Sequence, residues 1–173
     1  PLARPKIKID VRRYKKLLAR LMLLLAIASV SIYLYIWLPT LNPSAYFLFL
    51  KAQKLYLAGR NEGVIAISQN ILNQDPKFLA VYPQLGDTYR RLGDWDNALK
   101  YYFDYALYSE KRRDEKNLAA AYTGIGWTYH LRGDYLKAFD FYNRAITLSK
   151  DNKDRLSEAR GLERLAVWYI DQE

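Results

Sequence analysis

Between residues 85 and 173 the chain repeats itself at an offset of 40 residues. Leu85-Gly86-Asp87-Thr88-Tyr89 returns as Ile125-Gly126-Trp127-Thr128-Tyr129, and Gly93-Asp94-Trp95 returns as Gly133-Asp134-Tyr135. The same step takes Ala98 to Ala138, Tyr102 to Tyr142, Ser109 to Ser149 and Asp114 to Asp154. A third copy opens at Ala159, where Leu162, Leu165, Ala166 and Tyr169 stand opposite Tyr122, Ile125, Gly126 and Tyr129; Gly59 and Asp75-Pro76 mark an earlier one. Self-similarity at such a period belongs to stacked supersecondary units. The three-to-four spacing of Leu85, Tyr89 and Leu92 sets one apolar stripe on a helix. Gly93-Asp94 and Gly133-Asp134 then punctuate, since glycine accepts the left-handed conformation that ends a helix and aspartate caps the next. Each unit is therefore predicted to be a helix, a tight turn and a second helix. The small residues Gly86, Gly126, Ala98 and Ala138 permit close helix approach. One such hairpin cannot bury both faces, so the units must stack.

These residues resemble the tetratricopeptide repeat family. Its Leu-Gly-x-x-Tyr element stands at Leu85–Tyr89 and Ile125–Tyr129, its Gly-Asp-Tyr-x-x-Ala turn at Gly93–Ala98 and Gly133–Ala138, and its closing proline at Pro76. The resemblance covers about residues 45–173. The 40-residue step is similar to the family's longer-helix variant, with Lys111–Asn117 and Asp151–Ser157 as extended charged ends and connections. Lys51-Ala52 and Tyr105 depart from the pattern. The resemblance implies an all-α, right-handed superhelix of about three and a half hairpins at 45–78, 79–118, 119–158 and a partial or capping helix at 159–173. It also implies that the first helices line a concave surface that holds peptides or partner helices. The groove positions it implies are Tyr46, Phe49, Gln53 and Tyr56, then Asp87, Arg90 and Arg91, then Thr123, Trp127 and His130. Aromatic residues and arginines most often dominate binding energy, which singles out Trp127 and Arg90. The lysine and asparagine clamp with which some members hold a C-terminal carboxylate is not reproduced.

Upstream of the repeats the chain changes character. Residues 1–20 hold eight lysines and arginines against Asp10 alone, while the remainder carries 19 basic and 17 acidic residues. Leu21–Leu38 follows with eighteen residues and no charge. With Leu17, Leu18 and Ala19, and Arg20 snorkelling, the apolar stretch reaches about twenty-one residues, or about 30 Å of helix. Ser29 and Ser31 can return their hydroxyls to helix carbonyls, and Tyr33, Tyr35 and Trp37 collect at the downstream end as an aromatic belt does. A buried helix of a soluble protein would show a polar stripe. A cleaved signal peptide fits less well, because the apolar character continues well past Ala26-Ile27-Ala28. The expected organisation is a basic cytoplasmic tail at 1–16, a single transmembrane helix at 17–38, a proline-containing linker at 39–44 and the repeats at 45–173. The positive-inside rule then puts the N-terminus in the cytoplasm and the repeats on the periplasmic side of a plasma or inner membrane. Ala26, Ala28, Ser29 and Ser31 offer a small-residue contact face to a neighbouring membrane helix.

The composition leaves little material for chemistry. There is no cysteine and one histidine, which removes disulfides, thiolate metal sites, thiol nucleophiles and multi-histidine cages. Gly124-Ile125-Gly126 lies inside a predicted helix rather than after a strand, so it is not a dinucleotide fingerprint. Arg132-Gly133-Asp134 is read as the turn of a repeat, and His130 as a groove or surface residue. The cations precede the apolar run instead of spreading over a folded surface, which argues against nucleic acid. No catalytic residue, cofactor, metal or small-molecule substrate is expected. The expected function is a membrane-anchored scaffold whose partners are the lipid bilayer and other proteins, the subunits of a membrane complex. The alternative is an accessory subunit held in such a complex mainly through its membrane helix.

Overall fold

In a computed structural model the described residues are 11–37 and 43–172, with side chains described for Lys15, for residues 18–30 and from Ser44 onward. The described elements are eight helices. The chain divides into two units, residues 1–42 and 43–173.

The first unit contains α1 (Val11–Trp37), continuous over 27 residues. Within it the hydroxyl of Ser29 donates to the Ala26 carbonyl at 2.8 Å, as expected for a serine in an apolar helix. The five consecutive residues Leu21–Leu25 are each 56–64% exposed. At about 100° per residue they present apolar surface on every side of the helix. Among the described residues no helix is long and apolar enough to cross a membrane. The described side chains of α1 stop at Val30, before the downstream half of the uncharged run. Residues 1–10, the stretch 38–42 that takes in most of the expected linker at 39–44, and the side chains of Tyr33, Tyr35 and Trp37 lie outside the described residues, while Pro43 and Ser44 of that linker already belong to the next helix. Helix geometry corrects one expectation. Ala26 and Ser29, three apart, share a side, but Ala28 falls on the opposite one, so the small residues do not make a single contact face. The side chain of Ser31 is outside the described residues.

The second unit is an array of hairpins: α2 (Pro43–Leu57) with α3 (Asn61–Gln74), α4 (Val81–Arg91) with α5 (Trp95–Lys111), and α6 (Glu115–Arg132) with α7 (Tyr135–Asp151), closed by α8 (Arg155–Ile170). Each helix packs on its chain neighbours, and the first helices α2, α4, α6 and α8 also touch one another in series. The backbones of α3, α5 and α7 do not approach one another in this way. The layer of first helices is therefore the shorter, inner side of the curve. Side chains keep the outer layer in touch, as where Phe103 on α5 meets Phe141 on α7 at 5.8 Å between ring centres.

One turn recurs five times. Gly59, Gly93 and Gly133 sit at φ of +70°, +74° and +89°, and Arg113 and Lys153 take the same left-handed conformation at +55° and +57°. The next residue then donates its N–H to the carbonyl five positions back, at 3.0 Å from Asp94 to Tyr89 and at 2.9 Å from Asp114 to Ser109 and from Asp154 to Ser149. Its side chain starts the following helix: Asp94 and Asp114 accept from the N–H of Asn97 and Asn117 at 3.1 Å, and Asp154 from that of Ser157 at 3.3 Å. Two expectations change here. Asp134 caps nothing with its side chain; its Oδ2 accepts from Arg132 instead. The segments 111–117 and 151–157 are not long connections: only 112–114 and 152–154 leave the helices, and capping by Asp114 and Asp154 starts α6 and α8 four residues before the expected repeat boundaries at 119 and 159.

The equivalent positions of successive units are buried together. Leu85 and Ile125, Ala98 and Ala138, and Thr88 and Thr128 are all inaccessible. The two threonine hydroxyls are satisfied by their own helices, donating to the Gln84 and Gly124 carbonyls at 2.7 and 2.8 Å.

Candidate functional site

The inner layer encloses an open cleft of about 230 Å³. Helix α4 contributes Asp87 and Arg90, α6 contributes Thr123 and Trp127, and α8 contributes Arg160 and Arg164. The cleft floor includes Tyr102, which reaches through from α5 because Gly86 on α4 and Gly124 on α6 leave room for its ring. Its hydroxyl donates to Asp87 Oδ1 at 2.7 Å, and Arg90 pairs with the same oxygen. Burial holds the Tyr102 phenol well above its ordinary pKa and the Asp87 carboxylate adds to the effect, so it remains a donor. The negative charge of Asp87 is thus committed within the cleft wall. Trp127 has two guanidiniums near its ring, with Arg164 at 4.2 Å and Arg90 at 5.9 Å from the ring centre. Among the described residues neither Arg160 nor Arg164 has a carboxylate within ion-pair distance.

Of the groove positions expected from the sequence, Asp87, Arg90, Thr123 and Trp127 come together here. The α2 positions do not line the cleft. Tyr46 is 51% exposed, Gln53 is exposed, and Phe49 is half-buried against Phe78 at 5.6 Å. Tyr56 instead engages Arg91 on α4, which lies 3.7 Å over its ring and donates to its carbonyl at 3.1 Å, so that Arg91 turns onto α2. Burial and the nearby Asp87 carboxylate raise the Tyr56 phenol.

His130 is also outside the cleft, and only 5% exposed. Its Nε2 lies 2.8 Å from Asp171 Oδ2 and its Nδ1 3.5 Å from the Tyr142 hydroxyl, while its ring packs edge-on to Trp127. These contacts tie the end of α8 to α6 and α7. Among the described residues no group of three or more His, Asp or Glu side chains could hold a metal ion.

Residues 77–151 match the sequence profile of the tetratricopeptide repeat family. The match spans the hairpins α4/α5 and α6/α7, the two copies in which the 40-residue step is clearest. Tetratricopeptide repeats in general present concave surfaces to other proteins. No curated protein matches the chain. Among solved structures the chain is similar to the MamA protein, at 16% identity and a TM-score of 0.33 over 74% of this chain and 86% of that one. A likeness that loose carries no argument about function.

The sequence reading missed Arg160 and Arg164. The signal was present, since the 40-residue step puts them at the positions of Ala120 and Gly124, which also line the cleft. It missed Tyr102 as a cleft residue because a second-helix side chain reaches the inner surface only where two glycines admit it.

Proposed function

We propose that the protein is a membrane-tethered scaffold whose helical array, repeats over 45–173, holds other proteins of a membrane complex. The observation that carries the binding half is the cleft of the inner layer, where Arg90 and Arg164 lie near the ring of Trp127. An aromatic ring and arginines gathered in a concavity are the chemistry from which binding hot spots are made. The tether is supported by the eighteen uncharged residues Leu21–Leu38 and by the apolar surface that α1 presents on every side over Leu21–Leu25, which lipid covers and water does not favour. The basic residues before it orient the N-terminus to the cytoplasm and the array to the opposite side. Tethering confines the cleft to the bilayer plane and raises the effective concentration of membrane-bound partners. Binding of this kind needs no reaction.

The test is cross-linking in native membranes from a photoreactive phenylalanine analogue placed at Trp127. Cross-links to defined proteins, weakened by Arg90→Glu, are the expected result. A cleft that yields no protein adduct removes the scaffold function. Release of the intact chain by carbonate washing removes the tether.

A further inference from the structure

We infer that the cleft takes an acidic peptide segment of a partner protein, with two of its carboxylates held by Arg160 and Arg164. The inference rests on the proposal that the array binds proteins, and adds the chemistry of what it binds. Three guanidiniums line the cleft against one carboxylate, and that carboxylate is already engaged by Arg90 and the Tyr102 hydroxyl. What remains is the pair on α8, without a carboxylate partner among the described residues. The cation–π contact with Trp127 at 4.2 Å helps to hold the Arg164 guanidinium in the cleft, and a guanidinium without an ion-pair partner among the described residues suits a planar carboxylate.

The spacing also selects the ligand. Arg160 and Arg164 are one helical turn apart, about 5–6 Å between Cβ atoms. In an extended peptide alternate side chains point the same way at about 7 Å, so an acid-x-acid segment sets one carboxylate at each arginine. A cleft of about 230 Å³ has room for short acidic side chains, not for a docked helix. A polynucleotide calls for a wider field of cations, and the chain after residue 20 carries 19 basic against 17 acidic residues.

The experiment titrates the full chain, in a neutral detergent, into a fluorescein-labelled peptide of alternating Glu and Ser and follows anisotropy. A Gln-Ser peptide and a single-stranded oligonucleotide serve as the other arms. The Glu-Ser peptide should bind and weaken with added salt. Arg160→Gln and Arg164→Gln should each cost about tenfold in affinity, the scale of one lost charge-assisted contact. Arg160 has no packing partner of the kind that Trp127 is to Arg164, so its variant reports on binding even if Arg164→Gln disturbs the fold. Absence of Glu-Ser binding, equal binding of the Gln-Ser peptide, indifference to both substitutions, or tighter binding of the oligonucleotide would each overturn the inference. If any of these occurs while cross-links from residue 127 persist in membranes, the acidic ligand fails and the scaffold stands. If the cross-links are missing as well, both fail.

Discussion

The ring of Tyr102 fills the space that a side chain on Gly124 would need. Its Cδ1–Cε1 edge faces Gly124, and its Cδ2–Cε2 edge faces Gly86, where an added Cβ would come within 2.6 Å of Cε2. One tyrosine from the outer layer thus sets the approach of two inner helices. The relation repeats at Gly126, where a Cβ would stand 2.7 Å from Cδ1 of Tyr142. Gly124 and Gly126 flank Ile125 on α6 so that the helix receives one ring from α5 and another from α7.

Gly124→Ala should therefore destabilise the array even though alanine is the better helix former. Overpacking typically costs about 1–3 kcal/mol, against a helix-propensity gain of about 1 kcal/mol, and the buried Tyr102 ring has little freedom to retreat. Thermal unfolding of the full chain in detergent, followed by circular dichroism, should show a lowered midpoint. The loss should shrink in a Tyr102→Leu background. An equal loss in both backgrounds would mean that the ring is not the cause.

The two kinds of turn separate by substitution. Arg113 and Lys153 occupy the left-handed conformation that Gly93 and Gly133 adopt at the corresponding point of other turns. That conformation costs a side-chain-bearing residue about 1–2 kcal/mol, and glycine gives part of the gain back through its unfolded-state entropy. Arg113→Gly and Lys153→Gly should each stabilise by about 0.5–1 kcal/mol in the same unfolding measurement. Unchanged or lowered midpoints in both variants would show that the long side chains contribute more than the strain they carry.

Capping should divide Asp114 from Asp134. Asp114 accepts from the Asn117 N–H at 3.1 Å and from its side-chain amide at 2.7 Å, whereas Asp134 makes no capping bond and is held by Arg132. Asp114→Ala should cost about 1 kcal/mol. Asp134→Ala should cost less, and adding Arg132→Ala to it should change little. Hydrogen exchange of the first turns of α6 and α7 checks the assignment locally; equal deprotection of both helices would contradict it.

What was legible in the sequence, and what was not, follows from how far each signal travels along the chain. The hairpins were readable because Leu85, Ile125 and their neighbours recur at one register, and the turns because glycine at 93 and 133 announces a left-handed residue. Arg113 and Lys153 carry no such announcement, so the connections seemed longer than they are; only the aspartates after them hinted at the caps. Four cleft residues, Asp87, Arg90, Thr123 and Trp127, were found by register. His130 was misplaced because register alone does not show that Tyr142 and Asp171 enclose it. The meaning of Gly124 depends on a ring from a different helix, and no local periodicity encodes that.

Alkaline pH should probe the link between α5 and the start of α6. The Tyr105 hydroxyl donates to Asn117 Oδ1 at 2.7 Å, and Asn117 in turn donates to Asp114 at 2.7 Å. Burial, with a further push from Asp114, raises the Tyr105 phenol from 10.0 to about 12. Below pH 10 the phenol is protonated in both folded and unfolded chains, and its contribution is fully present. Between pH 10 and about 12 the unfolded chain releases the proton first, so it binds fewer protons than the folded one and stability falls as pH rises. Tyr102 and Tyr142, also raised mainly by burial, add the same sign of slope. Tyr105→Phe removes one of these groups together with its hydrogen bond. The variant should be the less stable protein at pH 8, and the gap to the parent should close toward pH 11 in urea titrations. A gap that stays constant across that range would mean that the Tyr105 proton is bound no more tightly in the folded chain than in the unfolded one.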